Sequence, residues 1–339
     1  MQRIFAIAGT IALVASFAAC AQSQSAYDRA QTAFGAHRYA EAAPLFAQAE
    51  MENPGQTDAL LMEGKSLANV GRYADAQTVL ESYAGRHPQS AETLFMLGFV
   101  LNRENKPADS LKTYTQAAKL ATPQSDDLKV VAMDYVLLND YDDAIRWMKQ
   151  AVVFDPKNEQ AWYGLGRCLY AQSEFGGAQQ AFQHALALDG RDVKAEANLG
   201  LAFEMDNKPD QAEAAYKAAV TLANAHAQTD EWPYLDYGAF LLEHDRPAEA
   251  IPLLQRAVTV APRCAECHGK LGRALAESGH AKQGVAELRE AVQLSPRDPK
   301  LHYDLGRAYR AAGEMDDARA ELALSAKLYG SKDSPGAKQ

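Results

Sequence analysis

The strongest constraint on this chain is a small residue that recurs every 34 residues along almost its whole length. Six positions on this spacing carry glycine or alanine: Ala30, Gly64, Gly98, Ala132, Gly166 and Gly200. After an offset of four residues, the spacing continues at Gly238, Gly272 and Gly306. A fixed period of this length is typical of repeat proteins, in which each helix–turn–helix unit packs only against its neighbours.

Windows of 34 residues align the repeats; they begin at residues 23, 57, 91, 125, 159, 193, 231, 265 and 299. Place 8 of each window is then the glycine or alanine named above, and place 20 is also small: Ala42, Ala76, Ser110, Ala144, Ala178, Ala212, Ala250, Gly284 and Ala318. Place 24 is large: Phe46, Leu80, Tyr114, Met148, Phe182, Tyr216, Leu254, Leu288 and Leu322. Since contacting residues set the distance between helix axes, these places predict two helices that cross closely within each window.

Place 32 predicts where the second helix of each window stops, because proline cannot extend a helix and glycine caps one. Seven of the nine windows carry proline or glycine at this place: Pro54, Pro88, Pro156, Gly190, Pro262, Pro296 and Gly330. The four-residue insertion lies in the stretch 223–230, where it either lengthens the second helix of window six or forms a loop.

Window five resembles the tetratricopeptide repeat at its signature residues: Trp162, Leu165, Gly166, Phe175, Ala178, Phe182 and Ala185. The resemblance covers residues 23–332, with windows one and four the weakest, and leaves residues 333–339 as a flexible tail. It implies an all-α fold, a right-handed solenoid of about nine helix–turn–helix repeats. The unbroken period favours a single domain. Such solenoids bind partners along a concave face, so we expect a binding scaffold and no enzyme.

Residues 1–21 differ in composition from the repeats. Arg3 precedes an apolar run from Ile4 to Ala19, and small residues then lead into a polar segment. This pattern predicts a signal peptide, either cleaved before Gln22 or followed by lipidation of Cys20. We therefore expect an exported protein of the bacterial cell envelope, either periplasmic or anchored to the outer membrane as a lipoprotein.

The charge balance restricts the partners. The formal net charge is −10 without a basic block, which argues against nucleic acid and against docking on anionic membranes. The histidines form no H-E-x-x-H pattern and the glycines no phosphate loop, so we expect no catalytic residue, metal, cofactor or small-molecule substrate. A protein or peptide partner remains, with membrane contact only through a lipid anchor.

The segment Cys264-Ala265-Glu266-Cys267-His268 matches the c-type haem attachment pattern. However, His268 occupies place 4, which Trp162 and His302 fill in other windows without cysteines nearby. This recurrence favours ordinary packing over haem ligation. Residues three apart on a helix can instead form a disulfide. A redox-catalytic pair would need the strand–helix setting of a thioredoxin-like fold, and the sequence has no strand pattern. Cys168 is expected to be a buried apolar residue.

In the fold that this resemblance implies, the first helices of successive repeats line the inner surface. Places 2, 5, 9, 12 and 13 of each window should therefore face the groove. The predicted partner contacts are Phe95, Phe99, Arg103, Lys129, Met133, Tyr163, Arg167, Tyr170, Leu201, Met205, Trp232 and Leu235. Aromatic residues and arginine anchor interfaces, and methionine adapts to varied partners. Toward the carboxyl end the groove is expected to turn basic, at Arg273, Arg307 and Arg310.

These residues predict a scaffold that holds a peptide or a helix of a partner protein in its groove. The lysine and asparagine pattern of carboxylate-clamp repeats is absent, because Met133 follows Lys129 one turn on. Two alternatives stay open: a haem or redox protein acting through Cys264, Cys267 and His268, and a self-assembling subunit of an envelope complex.

Overall fold

The computed structural model describes residues 25–55, 58–225 and 230–332, which form eighteen α-helices and contain no strand. The predicted signal peptide, Cys20 and the tail after Lys332 lie outside these residues. The described chain falls into two compact units, one ending at Asp155 and the other beginning at Pro156.

The first unit contains repeats one to four, each a pair of consecutive helices. Its helices are α1 (Ala26–Gly35), α2 (Tyr39–Glu52), α3 (Ala59–Asn69), α4 (Tyr73–Arg86), α5 (Ala91–Arg103), α6 (Pro107–Ala117), α7 (Ser125–Leu137) and α8 (Tyr141–Phe154). Each helix packs against the next, and first helix α5 also contacts first helices α3 and α7.

The second unit contains repeats five to nine. Its helices are α9 (Glu159–Ala171), α10 (Phe175–Leu188), α11 (Val193–Met205), α12 (Pro209–Ala225), α13 (Trp232–Glu243), α14 (Pro247–Val260), α15 (Ala265–Glu277), α16 (Ala281–Leu294), α17 (Pro299–Ala312) and α18 (Met315–Lys332). Consecutive helices again pack together, and each first helix contacts the first helix of the following repeat. The all-helical repeat fold predicted from the 34-residue period is confirmed in both units.

The two helices of each repeat cross where the sequence places its small residues. A Cβ atom added to Gly64, Gly98 or Gly166 would lie 2.6 Å from the side chain at place 24 of the same repeat. The corresponding distances at Gly200 and Gly238 are 2.8 Å and 2.7 Å. These distances are shorter than any carbon–carbon contact, so the large residue at place 24 fills the space that the glycine leaves open.

Every hairpin turns through a residue with positive φ at place 15: His37, Gly71, Asn105, Asn139, Ser173, Asn207, Asp245, Gly279 and Gly313. In all nine repeats the next backbone N–H, at place 16, donates to the carbonyl of place 11 at 2.8–2.9 Å. This hydrogen bond closes the first helix with the left-handed cap that glycine and asparagine favour. The nine hairpins therefore share one turn conformation.

Two details of the second helices differ between repeats. Helix α12 has 17 residues where α10 has 14, so the insertion after repeat six lengthens this helix. Gly330 was expected to end its helix, and this expectation is wrong because α18 continues to Lys332. Nothing packs against an added Cβ at Gly330, and no proline follows it before the end of the helix.

Candidate functional site

The first helices of each unit form a continuous surface, which we call the first-helix face. In the second unit, ion pairs on this face join place 9 of one repeat to place 13 of the preceding repeat. Arg273 contacts Glu243 at 3.0 Å, and Arg307 contacts Glu277 at 3.6 Å. In the first unit, Lys65 at place 9 pairs with Glu92 at place 2 of the following repeat. Places 2, 9 and 13 therefore lie on this face.

Three of the predicted contacts in the first unit pack against neighbouring aromatic rings. The ring of Phe95 lies 5.9 Å from that of Tyr114, and the ring of Phe99 lies 6.4 Å from that of Tyr73. Arg103 donates from Nε to the Tyr73 hydroxyl at 3.1 Å. The contacts of Phe99 and Arg103 join repeats two and three, that of Phe95 lies within repeat three, and both phenylalanines are only partly exposed.

The other two predicted contacts of the first unit lie on α7. Lys129 forms an ion pair with Asp126 at 2.9 Å, and its side chain is only 15% exposed. Met133 is exposed. Of these two residues, only Met133 offers a partner an apolar surface.

In repeat five, Tyr163 and Tyr170 are half-buried. The Tyr163 ring lies 5.9 Å from Phe182 and beneath the Arg167 guanidinium, whose carbon is 6.0 Å from the ring centroid. Burial raises the pKa of Tyr163. The Tyr170 ring packs edge-on against Phe175 at 5.6 Å. Each tyrosine is therefore only partly accessible to a partner, because its ring also packs against a phenylalanine.

The predicted contacts in repeats six and seven fall into two groups. Met205 and Trp232 are each 55% exposed, which is high for large apolar side chains. Leu201 is half-buried. Leu235 is only 2% exposed and belongs to the core, so its predicted role in partner contact is corrected here. Place 5 faces inward in this repeat because α13 packs between α11 and α15.

Charged residues at place 6 of this face were not among the predicted contacts. Burial, together with the nearby carboxylates Glu266 and Glu204, raises the pKa of Asp236 to about 7. Burial lowers the pKa of Lys270 one repeat later. The pattern of place 6 was visible in the sequence, since it reads Asp236, Lys270 and Asp304 in the last three repeats.

A cavity of about 310 Å³ lies between α15 and α17, lined by Arg273, Ala276, Glu277, Asp304, Arg307 and Arg310. The three arginines line one cavity, but acidic groups accompany them, so the prediction of a basic end to the groove is wrong. Arg273 binds Glu243 and Glu277, both at 3.0 Å, and burial raises the pKa of Asp304. This end of the face is thus a mixed-charge region.

Cys264 and Cys267 are joined by a disulfide at the start of α15. Both ring nitrogens of His268 have partners, because Nδ1 lies 2.7 Å from Glu287 and Nε2 lies 3.1 Å from the carbonyl of Pro262. His302 makes the same two contacts in repeat nine, with Glu321 and Pro296. This geometry favours a packing role for His268 over a role as haem ligand.

The residue at place 4 makes the same kind of hydrogen bond in repeats five, eight and nine. In repeat five, Trp162 donates from Nε1 to the carbonyl of Pro156 at 3.0 Å, as His268 and His302 bond to the prolines before them. The proline at place 32 therefore supplies an acceptor for the next repeat. Among the described residues, no three His, Cys, Asp or Glu side chains gather into a metal site, and no helix could cross a membrane.

Comparison with protein families agrees with the repeat architecture. A profile described as "Tetratricopeptide repeat" matches residues 33–97 and 276–329, and a second profile with this description matches residues 240–299. The profile of the cilia and flagella-associated protein 70 middle TPR-like domain matches residues 128–235.

Two curated relatives match short parts of the chain. Human tetratricopeptide repeat protein 7B is 24% identical over 120 residues, which is 35% of this chain and 14% of the relative. The heat-shock protein cognate co-chaperone sgt12 of Aspergillus fumigatus is 24% identical over 126 residues, 37% of each protein. The chain thus spans well under half the length of either relative.

Solved structures share the fold at low sequence identity. The Cut9 and Hcn1 hetero-tetramer of APC/C contains a chain with a TM-score of 0.58 and 16% identity, covering 85% of this chain and 56% of that one. A tetratricopeptide repeat protein of Parabacteroides merdae has a TM-score of 0.56 and 17% identity, and the match covers 74% of this chain and 98% of that one. The type IV pilus biogenesis factor PilW has a TM-score of 0.53 and 20% identity, and the match covers 62% of this chain and 95% of that one. With these matches and its nine helical hairpins, the chain belongs to the tetratricopeptide repeat family.

Proposed function

We propose that the first-helix face of the second unit binds an extended peptide or a helix of a partner protein. The tetratricopeptide fold is that of a protein-interaction scaffold, which supports this class of function. The observation that carries the proposal is the exposure of Met205 and Trp232, each at 55%, on a face whose other large apolar residues are mostly covered. Exposed aromatic and methionine side chains are typical of interaction sites.

The places of these residues support a common contact surface. Place 9 of repeat two meets place 2 of repeat three in the ion pair between Lys65 and Glu92. The equivalent places in repeats six and seven hold Leu201 and Trp232, on helices α11 and α13 that pack together. Leu201, Met205 and Trp232 would therefore give a partner one apolar strip across two repeats.

Charge next to this strip specifies the partner further. Glu204 and Asp236 lie beside Met205 and Trp232, and Asp236 carries a pKa of about 7 because it is partly buried near other carboxylates. A lysine or arginine of the partner would stabilise the ionised form of Asp236. We therefore propose a partner segment that combines a large apolar side chain with a basic one.

The test replaces both exposed side chains, with Met205→Ala and Trp232→Ala in one variant. We expect the variant to keep its helicity and to bind the partner at least tenfold more weakly, because anchors of this kind contribute about 2 kcal/mol or more. Partners are captured from an envelope extract with the wild-type protein, identified by mass spectrometry, and their affinities are then measured by calorimetry.

Leu188→Ala is the matched control, since Leu188 is 43% exposed but lies on second helix α10. Equal affinity of the wild type and the double variant for every captured partner would contradict the proposed site. Tyr163→Ala with Tyr170→Ala is a weaker test, because both rings also pack against phenylalanines and their loss affects stability.

We also propose that the protein is exported and acts in a bacterial cell envelope, on the basis of the charge and apolar pattern of residues 1–21. Lipidation of Cys20 would keep the scaffold at a membrane, whereas cleavage before Gln22 would release it. Self-assembly within an envelope complex stays a prediction, which light scattering of the purified protein can test.

A further inference from the structure

We propose that Cys264 and Cys267 form a reversible dithiol–disulfide centre that exchanges with a dithiol protein, with Cys264 as the sulfur that forms the mixed disulfide. This inference is independent of the first-helix face. It depends on where the two cysteines lie on α15 and on how the other repeats begin their first helices.

The two sulfurs differ in access and in setting. Cys264 is the N-cap residue of α15 and is half-buried, whereas Cys267 is fully buried in the first turn. The Cys264 sulfur accepts a hydrogen bond from the Cys267 backbone N–H at 3.0 Å. A sulfur in this position can be approached from solvent and also lies at the positive end of the helix dipole.

The other repeats show that the fold does not need this disulfide. Ser90, Asn158 and Asp298 cap their first helices by accepting a backbone N–H, as Cys264 does. The φ and ψ angles are −81° and 96° at Ser90, −75° and 92° at Asn158, and −85° and 107° at Asp298. Those of Cys264 are −84° and 102°. The backbone at Cys264 therefore takes the conformation that three repeats reach without a covalent bond.

The preceding loop is held in place by contacts that do not involve sulfur. His268 binds the carbonyl of Pro262 at 3.1 Å, and the Cys264 N–H donates to the carbonyl of Ala261 at 3.0 Å. In repeat nine, His302 binds Pro296 at the same distance, and Asp298 and Leu301 stand where the cysteines would be. Reduction of the disulfide should thus leave repeat eight folded.

The energetics also favour exchange over a purely structural role. The cysteines are three residues apart, so their bond closes a very short loop and removes little entropy from the unfolded chain. The Cys267 N–H and the helix dipole stabilise a thiolate on Cys264, as at other reactive cysteines at helix N-termini. A stabilised thiolate favours the reduced form and makes Cys264 a good leaving group. The strand that precedes the helix in thioredoxin-like folds is not required for either effect.

The exchange proceeds in two balanced steps. A thiolate of the partner attacks the Cys264 sulfur, the bond to Cys267 breaks, and Cys267 takes the electron pair and then a proton. The second thiolate of the partner attacks its own sulfur in the mixed disulfide, and Cys264 leaves as the thiolate at the N-terminus of α15. The partner loses two electrons, and the Cys264–Cys267 pair gains them. The partner's thiols release their protons on forming thiolates; one of these protons goes to Cys267, the other passes to solvent, and Cys264 ends as the thiolate. The same steps in reverse oxidise the pair.

Two variants separate the roles of the cysteines. Cys267→Ala introduces the residue found at this place in repeats five and six, Ala161 and Ala195, and Cys264→Ser introduces the cap of repeat three, Ser90. With oxidised glutathione as the probe, we expect Cys267→Ala to acquire glutathione on Cys264 at least tenfold faster than Cys264→Ser acquires it on the buried Cys267 or Cys168. Peptide mapping by mass spectrometry assigns the modified sulfur, and circular dichroism verifies that both variants are folded.

The wild-type protein is then equilibrated in buffers of reduced and oxidised glutathione, and its thiols are counted after alkylation. We expect the Cys264–Cys267 disulfide to open and re-form reversibly within this range, with no change in helicity and unchanged hydrogen exchange in α15. A disulfide that stays closed in excess reduced glutathione would overturn the proposal. So would equal labelling rates in the two variants, or loss of protection across α15 on reduction.

Discussion

At the scale of single residues, the first unit contains a carboxyl group in an unusual environment, that of Asp134. Its side chain is fully buried on α7, where it accepts hydrogen bonds from Asn102 Nδ2 at 2.8 Å and from Ser110 Oγ at 2.5 Å. The Ser110 hydroxyl also lies 2.9 Å from the carbonyl of Gly98. Burial raises the pKa of Asp134 to about 6, although both hydrogen bonds act in the opposite direction. The carboxyl is therefore protonated more readily in the folded protein than in the unfolded chain.

This shift predicts how stability depends on pH. An unfolded aspartate has a pKa of about 3.9, so the folded state binds the proton more tightly between about pH 4 and pH 6. The stabilisation from Asp134 is present below pH 4, falls as the pH rises to 6, and is absent above that value. When the pH is raised from 4 to 7.5, the unfolding free energy of Asp134→Asn should increase by about 2 kcal/mol relative to that of the wild type. Urea unfolding at the two pH values measures this difference.

The asparagine variant keeps the geometry of the site, because its amide can accept from Asn102 and donate to Ser110, whose hydroxyl then donates to Gly98. Asp134→Ala is the control, since it leaves the buried Asn102 amide without its acceptor and should destabilise by about 1–3 kcal/mol at both pH values. Parallel pH profiles for the wild type and the asparagine variant would show that Asp134 does not titrate in this range.

At the scale of the helical hairpin, the close crossing of the two helices depends on glycine at place 8. A Cβ atom at Gly166 would lie 2.6 Å from Cε1 of Phe182, and this ring is fully buried. Repeats one and four carry alanine at this place, opposite Phe46 and the flexible Met148. Alanine at place 8 is therefore compatible with the fold only where the side chain at place 24 leaves room for the Cβ atom, and Phe182 leaves none at Gly166.

Gly166→Ala should consequently destabilise the second unit by about 1–3 kcal/mol through overpacking. Gly176→Ala is the matched control, because Gly176 lies in the first turn of α10 and nothing surrounds its added Cβ within 4 Å. This control should be neutral or stabilise by up to about 1 kcal/mol. Thermal unfolding compares the two variants, and equal melting temperatures would disprove the steric account.

The hairpins could be predicted from the sequence because their determinants recur. Places 8, 20 and 24 were sufficient to pair the helices, and the left-handed turn at place 15 could have been predicted from glycine or asparagine in six of nine repeats. Exposure on the first-helix face was less predictable. Leu235 is buried because α13 is apolar on nearly all sides and lies between two other first helices. A period alone does not determine how deeply each place is covered.

The candidate site was partly predictable for the same reason. Met205 and Trp232 lie at places that the repeat puts on the surface, so the sequence identified them. The raised pKa of Asp236 depends on its burial and on carboxylates from α11 and α15, and a contact of this kind is not encoded in the spacing of one helix. The helix cap formed by Cys264 likewise becomes evident only when its backbone is compared with that of Ser90 and Asp298.

At the scale of the whole molecule, the chain carries a formal charge of −10, and its amino-terminal 21 residues differ in composition from the repeats. Produced in full length in a bacterial host, the protein should lose its first residues and be recovered from the envelope fraction. Intact mass then distinguishes an amino terminus at Gln22 from a lipidated Cys20. Cys20→Ala serves as the control, because it abolishes lipid labelling but permits cleavage before Gln22. An intact Met1 in the cytosolic fraction would refute export.

The shared turn at place 15 also determines where this protein tolerates added sequence. All nine hairpins use one residue of positive φ and one hydrogen bond of fixed span, so a single extra residue inside a hairpin would disrupt both. The four-residue insertion instead lengthens α12 at its carboxyl-terminal end, beyond the turn of that hairpin. Fluorescent labels, purification tags or whole domains are therefore best introduced between hairpins, where natural variation in length has already occurred.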